Sequence, residues 1–191
     1  MSGADAAAIA AVTFAALYAG HQIGDHVVQS NSVAIAKAAP DAARLAAGAS
    51  PWTGWGACWR HVAGYVATQV VALALVCVAV PMEVPGMATA LIVSAGTHAV
   101  IDRRWVVHLL IRVKKCHGWA EAPYLIDQSL HVGAMLIAAV LAVTVSDAAG
   151  VAVVGAGASA LVGAALLVER RRAAARARVV GPSHGWRRHG A

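Results

Sequence analysis

Residues 6–20 run for fifteen positions without a charge, and His21 and Asp25 then follow one helical turn apart. Carried on to residue 28, such a run can cross the hydrocarbon layer of a bilayer, which takes about 20 apolar residues of helix. In lipid every backbone N–H and C=O must be satisfied within the chain, so the choice is a helix or a closed barrel. The apolar stretches here are continuous and rich in Ala, Leu and Val, not alternating with period two, which argues for helices.

Four more stretches read the same way, at 57–80, 87–113, 123–147 and 151–168. The expected fold class is therefore all-α, a polytopic membrane bundle of five transmembrane helices. Composition agrees: 60% of residues are apolar and 13% charged, with a mean hydropathy of +0.67. A soluble domain carries about 25% charged residues. The N-terminus has no basic stretch of the signal-peptide kind, so the first helix is expected to stay in the mature protein. Residues 1–168 form the transmembrane domain, with a surface loop at 30–56, and 169–191 a basic, disordered tail. Within the loop, 40–45 suits a short helix on the membrane surface, and Trp52, Trp55 and Trp59 suit anchors at the headgroup level. In the last span Gly155, Gly157 and Gly163 are expected to allow close packing on a neighbour. Cys58, Cys77 and Cys116 have no disulfide-like or zinc-knuckle spacing, so no disulfide is expected.

Charge placement orients the bundle. The net charge of +6 raises the question of a nucleic-acid partner, but the basic residues sit in short segments between spans. That pattern reports topology, and no specific nucleic acid is expected. Lys37, Arg44 and Arg60 fall between the first two spans; Arg103, Arg104, Arg112, Lys114 and Lys115 fall at the exit of the third; the other seven arginines, Arg187 and Arg188 among them, fall after the fifth. All fifteen share one side, so the N-terminus is expected outside and the C-terminus in the cytoplasm of a cell (inner, cytoplasmic) membrane.

The same bookkeeping brings four polar groups to one depth. His21 and Asp25 end the first span, His61 opens the second, His98 and Asp102 close the third, and Asp127 and His131 open the fourth. Positions i and i+4 share a helix face. Nine histidines and nine acids scattered through 191 residues give fewer than one His–acid pair at that spacing, and four occur; the fourth, His117/Glu121, lies in a basic loop as a bystander. One such pair is ordinarily a buried histidine bonded to its helix neighbour. Three on adjacent helices would make costly glue, because membrane helices normally associate through Ser, Thr, Asn or Gln.

A divalent cation resolves that cost, since it compensates carboxylates while neutral imidazoles need no counter-charge. The candidate ligands are His21, Asp25, His61, His98, Asp102, Asp127 and His131. Zinc suits the donor set best, and manganese or iron would accept it too. Seven donors exceed one tetrahedral site, which leaves either outer-shell roles or two ions side by side. Asp25 and Asp127 are the candidates for a catalytic base. Cys58, three residues before His61, reads as a bystander; His26, His108 and His117 read as interfacial or solvated. Gln29 extends the first face, and Gln128 lies off its own. Arg103 and Arg104, with the basic tail, are candidates for anionic lipid headgroups, although orientation alone accounts for such charges.

The ordered motifs H-x-x-G-D-x-x-x-Q (His21, Gly24, Asp25, Gln29), His61, H-x-x-I-D (His98, Ile101, Asp102) and D-Q-x-x-H (Asp127, Gln128, His131) resemble an uncharacterised family of small bacterial integral-membrane proteins, a domain of unknown function. The resemblance spans residues 6–146. It departs at His26, where the family commonly carries an aromatic residue, and in a preference for Arg over Lys in the loops. The family is similar in its His/Asp content to membrane-bound metal-dependent hydrolases, which implies hydrolysis of an amphipathic or lipid-linked substrate. The other reading is a non-enzymatic protein that handles metal ions or protons as a transporter, sensor or assembly factor. The apolar outer halves of spans two to four weigh against a conduit.

Overall fold

The computed structural model describes residues 2–180 and is all-helical throughout them. Helices α1 (Gly3–Ile23), α2 (Asn31–Ala36), α3 (Ala42–Ala46), α4 (Trp55–Cys77), α5 (Val84–Ile101), α6 (Trp105–Lys114), α7 (Ala122–Ala142) and α8 (Ala148–Val180) succeed one another in order, and a π-helical turn, Gly24–Val28, extends α1. Five are long and apolar enough to cross a membrane: α1 with its π-turn, α4, α5, α7 and α8.

Helix α5 is the axis of the bundle. It packs on α4, α7 and α8, while α1 packs on α4 and α7. Over half of α5 is buried, against less than a third of every other span. The contact of α1 with α4 is backbone-close: a Cβ at Gly20 would stand 2.7 Å from Gln69 Cα, and one at Gly24 3.1 Å from Tyr65 Cα. Small residues let membrane helices approach in this way, where apolar attraction between helices is weak. Leu17, Leu73, Ala90 and Met135 form an apolar layer across four helices. Each lies one turn from the polar groups of its helix, Leu17 before His21, Leu73 after Gln69, Ala90 before Ser94 and Met135 after His131.

Four sequence expectations are corrected. The third stretch, 87–113, is not one helix. It breaks at Asp102–Arg104, where Arg104 takes a left-handed backbone (φ 61°), a conformation uncommon for residues with a side chain. Beyond the break, α6 has ten residues and is too short to span. The tail expected from residue 169 begins as helix, because α8 continues to Val180 and buries Glu169; Arg187 and Arg188 lie outside the described residues. Gly155, Gly157 and Gly163 make no close approach, for a Cβ at any of them would meet nothing within 4 Å. The tight contact with α8 comes from the other partner: a Cβ at Gly96 on α5 would stand 3.0 Å from Ala158 Cβ.

Trp55 is the fourth. Trp52 and Trp59 are exposed, but Trp55 is buried and its Nε1 donates to Glu169 Oε2 at 2.8 Å. The same carboxylate holds Arg103 through two bonds, Nε to Oε1 at 2.8 Å and Nη2 to Oε2 at 3.0 Å. Arg103 also donates to the carbonyls of Lys37 and Thr53, and its guanidinium lies 4.8 Å from the Trp55 ring. This buried fork ties the 30–54 loop to α8. Gly54 makes room for it, with φ at 94° and the Arg103 Nη1 2.7 Å from where a Cβ would be. The short helix expected at 40–45 is α3, begun by Asp41, whose Oδ1 accepts from the Arg44 N–H at 2.9 Å.

Candidate metal centre

Helical registry carries six of the seven expected residues into one cluster, and Asp25 arrives through the π-turn. In an unbroken α-helix Asp25 would stack directly on His21. The wider turn, closed by Gln29 N–H to Gly24 C=O at 3.1 Å, instead swings its carboxylate towards α4 and α5. Such turns concentrate at functional sites.

At the centre, His61 Nε2 and His98 Nε2 face each other at 2.9 Å. Asp25 Oδ1 lies 3.1 Å from the first and 3.5 Å from the second. Zinc bonds to N and O donors of about 2.0–2.1 Å give a tetrahedral edge of about 3.3–3.4 Å. The three separations scatter around that edge, so Asp25, His61 and His98 offer one face of a tetrahedral set. Asp102 Oδ2 stands 3.3 Å from His61 Nε2 and 3.1 Å from His98 Nε2. Its other oxygen is 2.7 Å from Lys37 Nζ, with both side chains at most 6% exposed.

A second group shares His98. One ring nitrogen from each of His21, His98 and His131 lies within 4.8 Å of the others, and all three residues are buried. His21 Nε2 is 3.1 Å from Gln128 Oε1, and Gln128 Nε2 donates towards Asp127 Oδ2 at 3.4 Å. Those two contacts fix the amide, so the His21 Nε2–H is the donor and Nδ1 is left with its lone pair. His131 Nε2 is 3.7 Å from Asp127 Oδ2 and 3.8 Å from Asp102 Oδ1, beyond hydrogen-bonding distance from either. Asp127, at 23% exposure, is the most open carboxylate of the cluster.

The donors fit a cation because so many of them lack anything else. Nine buried side-chain polar atoms among the described residues have no hydrogen-bond partner, and five are His21 Nδ1, Asp25 Oδ1, His98 Nδ1, Asp102 Oδ2 and His131 Nε2. Each buried polar atom without a partner costs about 1–3 kcal/mol. Four of them, His21 Nδ1, Asp25 Oδ1, Asp102 Oδ2 and His131 Nε2, can offer a lone pair to an ion, while His98, which presents Nε2 to the centre, keeps its proton on Nδ1. A further orphan is Nε2 of the half-buried Gln29, which ends the π-turn.

Residues 13–156 match the model of a family described as proteins of unknown function, DUF3307. The chain belongs to DUF3307. The matched region contains every residue of the cluster, and three of the five candidate spans lie wholly within it. No curated protein and no solved structure matches the chain.

Around the cluster of this DUF3307 chain, Tyr65 stacks on the His98 ring with centroids 3.7 Å apart. Its hydroxyl is 2.6 Å from Ser94 Oγ and accepts from Gln69 Nε2 at 2.7 Å. Gln69 Nε2 also lies 3.1 Å from Leu17 C=O, so one network locks α1, α4 and α5 around His98. Cys58 donates to Ala99 C=O and belongs to neither donor group. His26 is exposed. Two residues of the site escape sequence reasoning. Lys37 reads as a topology charge and is buried against Asp102. Gln128 reads as off-face and is the partner that orients His21. Its adjacency to Asp127 is the available signal. For Lys37 there is none, because a loop lysine is ordinarily solvated.

Proposed function

We propose that this is a multi-pass protein of the inner (cytoplasmic) membrane that binds a divalent cation at Asp25, His61, His98 and Asp102, and that the centre hydrolyses an amphipathic or lipid-linked substrate. The observation that carries the metal reading is the triangle of Asp25 Oδ1, His61 Nε2 and His98 Nε2, whose edges of 3.1, 3.5 and 2.9 Å suit first-row metal bonds. Asp102 serves as the fourth donor or orients the two imidazoles. His21 and His131, with His98, are the donors for a second ion beside the first. Zinc is the leading occupant, with manganese or iron as alternatives, since all accept imidazole and carboxylate.

The ion supplies Lewis acidity and lowers the pKa of water towards 7. The protein supplies the base. Asp127 suits that part because it is the most exposed carboxylate and adjoins the second group; Asp25 is the alternative. The distribution of all fifteen Lys and Arg residues supports placing the centre at the cytoplasmic level of the bundle.

A second reading, a non-enzymatic protein that handles metal ions or protons, is favoured by Lys37. Its ammonium already compensates one of the two innermost carboxylates. A conduit is disfavoured by the apolar layer of Leu17, Leu73, Ala90 and Met135 one turn away.

Elemental analysis of the detergent-purified full chain tests the first step. The wild type should carry stoichiometric metal, His98→Ala should lose most of it, and Asp127→Ala should keep the ion at the Asp25/His61/His98 face. Wild-type protein without stoichiometric metal would overturn the reading. Given bound metal, hydrolysis of a lipid-phosphate and ester panel that survives His61→Ala would overturn the catalytic part.

A further inference from the structure

Outside the cluster, a cavity of about 320 Å³ lies between the loop near residue 40, the start of α6 and the end of α8. Basic side chains reach it from three segments: Arg104 at the α5–α6 turn, His108 and Arg112 on α6, and Arg172 and Arg176 on α8. Two acids line it as well, and both are committed. Asp41 caps α3, and Glu169 holds Arg103 and Trp55. Arg103 itself, expected to meet a headgroup, is 1% exposed and locked in that pair. Of the other guanidiniums, Arg104 donates to the Ala34 carbonyl at 3.2 Å, and among the described residues no acid forms a salt bridge with Arg112, Arg172 or Arg176.

Charges that serve only to orient a membrane protein need no cavity, because like charges in water spread apart. Here they converge. The Arg172 guanidinium lies 5.7 Å from the Trp105 ring, so α8 and α6 are held together across the opening. Trp105 lines the cavity, and its Nε1–H is buried without an acceptor. His108 is held below the usual histidine value first by loss of water around its ring and then by the nearby Arg104, Arg112 and Arg172.

We propose that this cavity binds a phosphate group, through the guanidiniums of Arg112, Arg172 and Arg176 and the indole N–H of Trp105. Guanidinium forks match phosphate oxygens bidentately, and charge-assisted bonds of this kind are about twice as strong as neutral ones. The volume falls in the range of small-molecule sites, about 300–1,000 Å³, so the phosphate arrives with an organic substituent. The source is a phospholipid headgroup or a soluble phosphate ester. Exposed Leu109 and Val113, on the same helix as Arg112, favour the lipid. The inference is independent of the metal centre.

The test uses the detergent-purified full chain and native mass spectrometry, with three probes: phosphatidylglycerol, a diacylglycerol of the same chains, and inorganic phosphate. Wild type should retain one phosphatidylglycerol and no diacylglycerol, and Arg112→Gln/Arg172→Gln should bind it at least about tenfold more weakly, with its metal content unchanged. Binding of inorganic phosphate that displaces no lipid would point to the soluble ester and still support the site. Should the double variant fail to fold, Trp105→Phe keeps the ring and removes the N–H, and should weaken binding several-fold. Equal retention of phosphatidylglycerol and diacylglycerol with no phosphate bound would overturn the proposal, as would wild-type affinity in the folded double variant.

Discussion

Lys37 Nζ and Asp102 Oδ1 form a buried ion pair at 2.7 Å, and the pair turns the other Asp102 oxygen towards His61 and His98. The loop thereby reaches the same carboxylate that closes α5. Lys37 can neutralise Asp102 with no metal present, so its removal tests whether Asp102 also faces a metal. Lys37→Met leaves a carboxylate buried and unpaired, a loss of about 3–5 kcal/mol when one partner of a buried pair is removed. If Asp102 faces a metal, that loss should appear only after chelation and be largely restored by excess zinc. Thermal unfolding in detergent, with EDTA and with zinc, measures both. Equal destabilisation under the two conditions would count against a metal at Asp102.

Arg103 and Glu169 are expected to act on stability, not on lipid binding. Their bidentate pair is buried and also recruits Trp55 and two loop carbonyls. Arg103→Met should lower stability by about 3–5 kcal/mol, because Glu169 stays buried without its partner. Arg103→Met/Glu169→Leu should recover much of that. Phosphatidylglycerol retention by that double variant should not change, since it removes the Glu169 carboxylate together with the guanidinium that holds it. Melting curves and the lipid assay together check the separation.

Helix packing gives a paired expectation at glycine. Gly20→Ala sets a Cβ 2.7 Å from Gln69 Cα, in backbone that cannot yield cheaply. Overpacking of this kind costs about 1–3 kcal/mol. Because Gln69 holds Tyr65 and Tyr65 stacks on His98, metal retention should fall with it. Gly157→Ala, where a Cβ meets nothing, should be neutral or stabilising by up to about 1 kcal/mol through helix propensity. The comparison needs only unfolding midpoints and metal content of the two variants.

The contrast between those glycines shows what the sequence could and could not convey. Five long apolar runs are legible because the bilayer demands about 20 apolar residues of helix, whatever the fold inside it. The cluster is legible because i, i+4 spacing fixes a face and the basic residues fix a depth, without any knowledge of which helices touch. Partner choice is different. Gly96 and Gly157 read alike as letters, and only the packing of α5 on α8 decides that one is crowded and the other open. Arg103 and Arg104 read alike too, and a left-handed residue at 104 sends the first inward and the second out. The burial of Lys37 depends on a loop folding back over α5, a long-range event that no local pattern encodes.

Gln128 offers the last expected outcome, on the second donor group. Its carbonyl accepts from His21 Nε2–H and so leaves the lone pair of His21 Nδ1, 3.7 Å from Asp25 Oδ2, for an ion. Outer partners of ligating histidines typically contribute about 10–100-fold to metal affinity. Gln128→Ala should therefore weaken one class of bound metal by about that factor, while the ion at Asp25, His61 and His98 is retained. Gln128→Glu keeps an acceptor at the same position and should restore binding. Cobalt substitution and visible absorption can resolve the two environments, since loss of one band set with the other intact is the expected signature. Identical spectra and stoichiometry in wild type and Gln128→Ala would show that His21 takes no part in holding an ion.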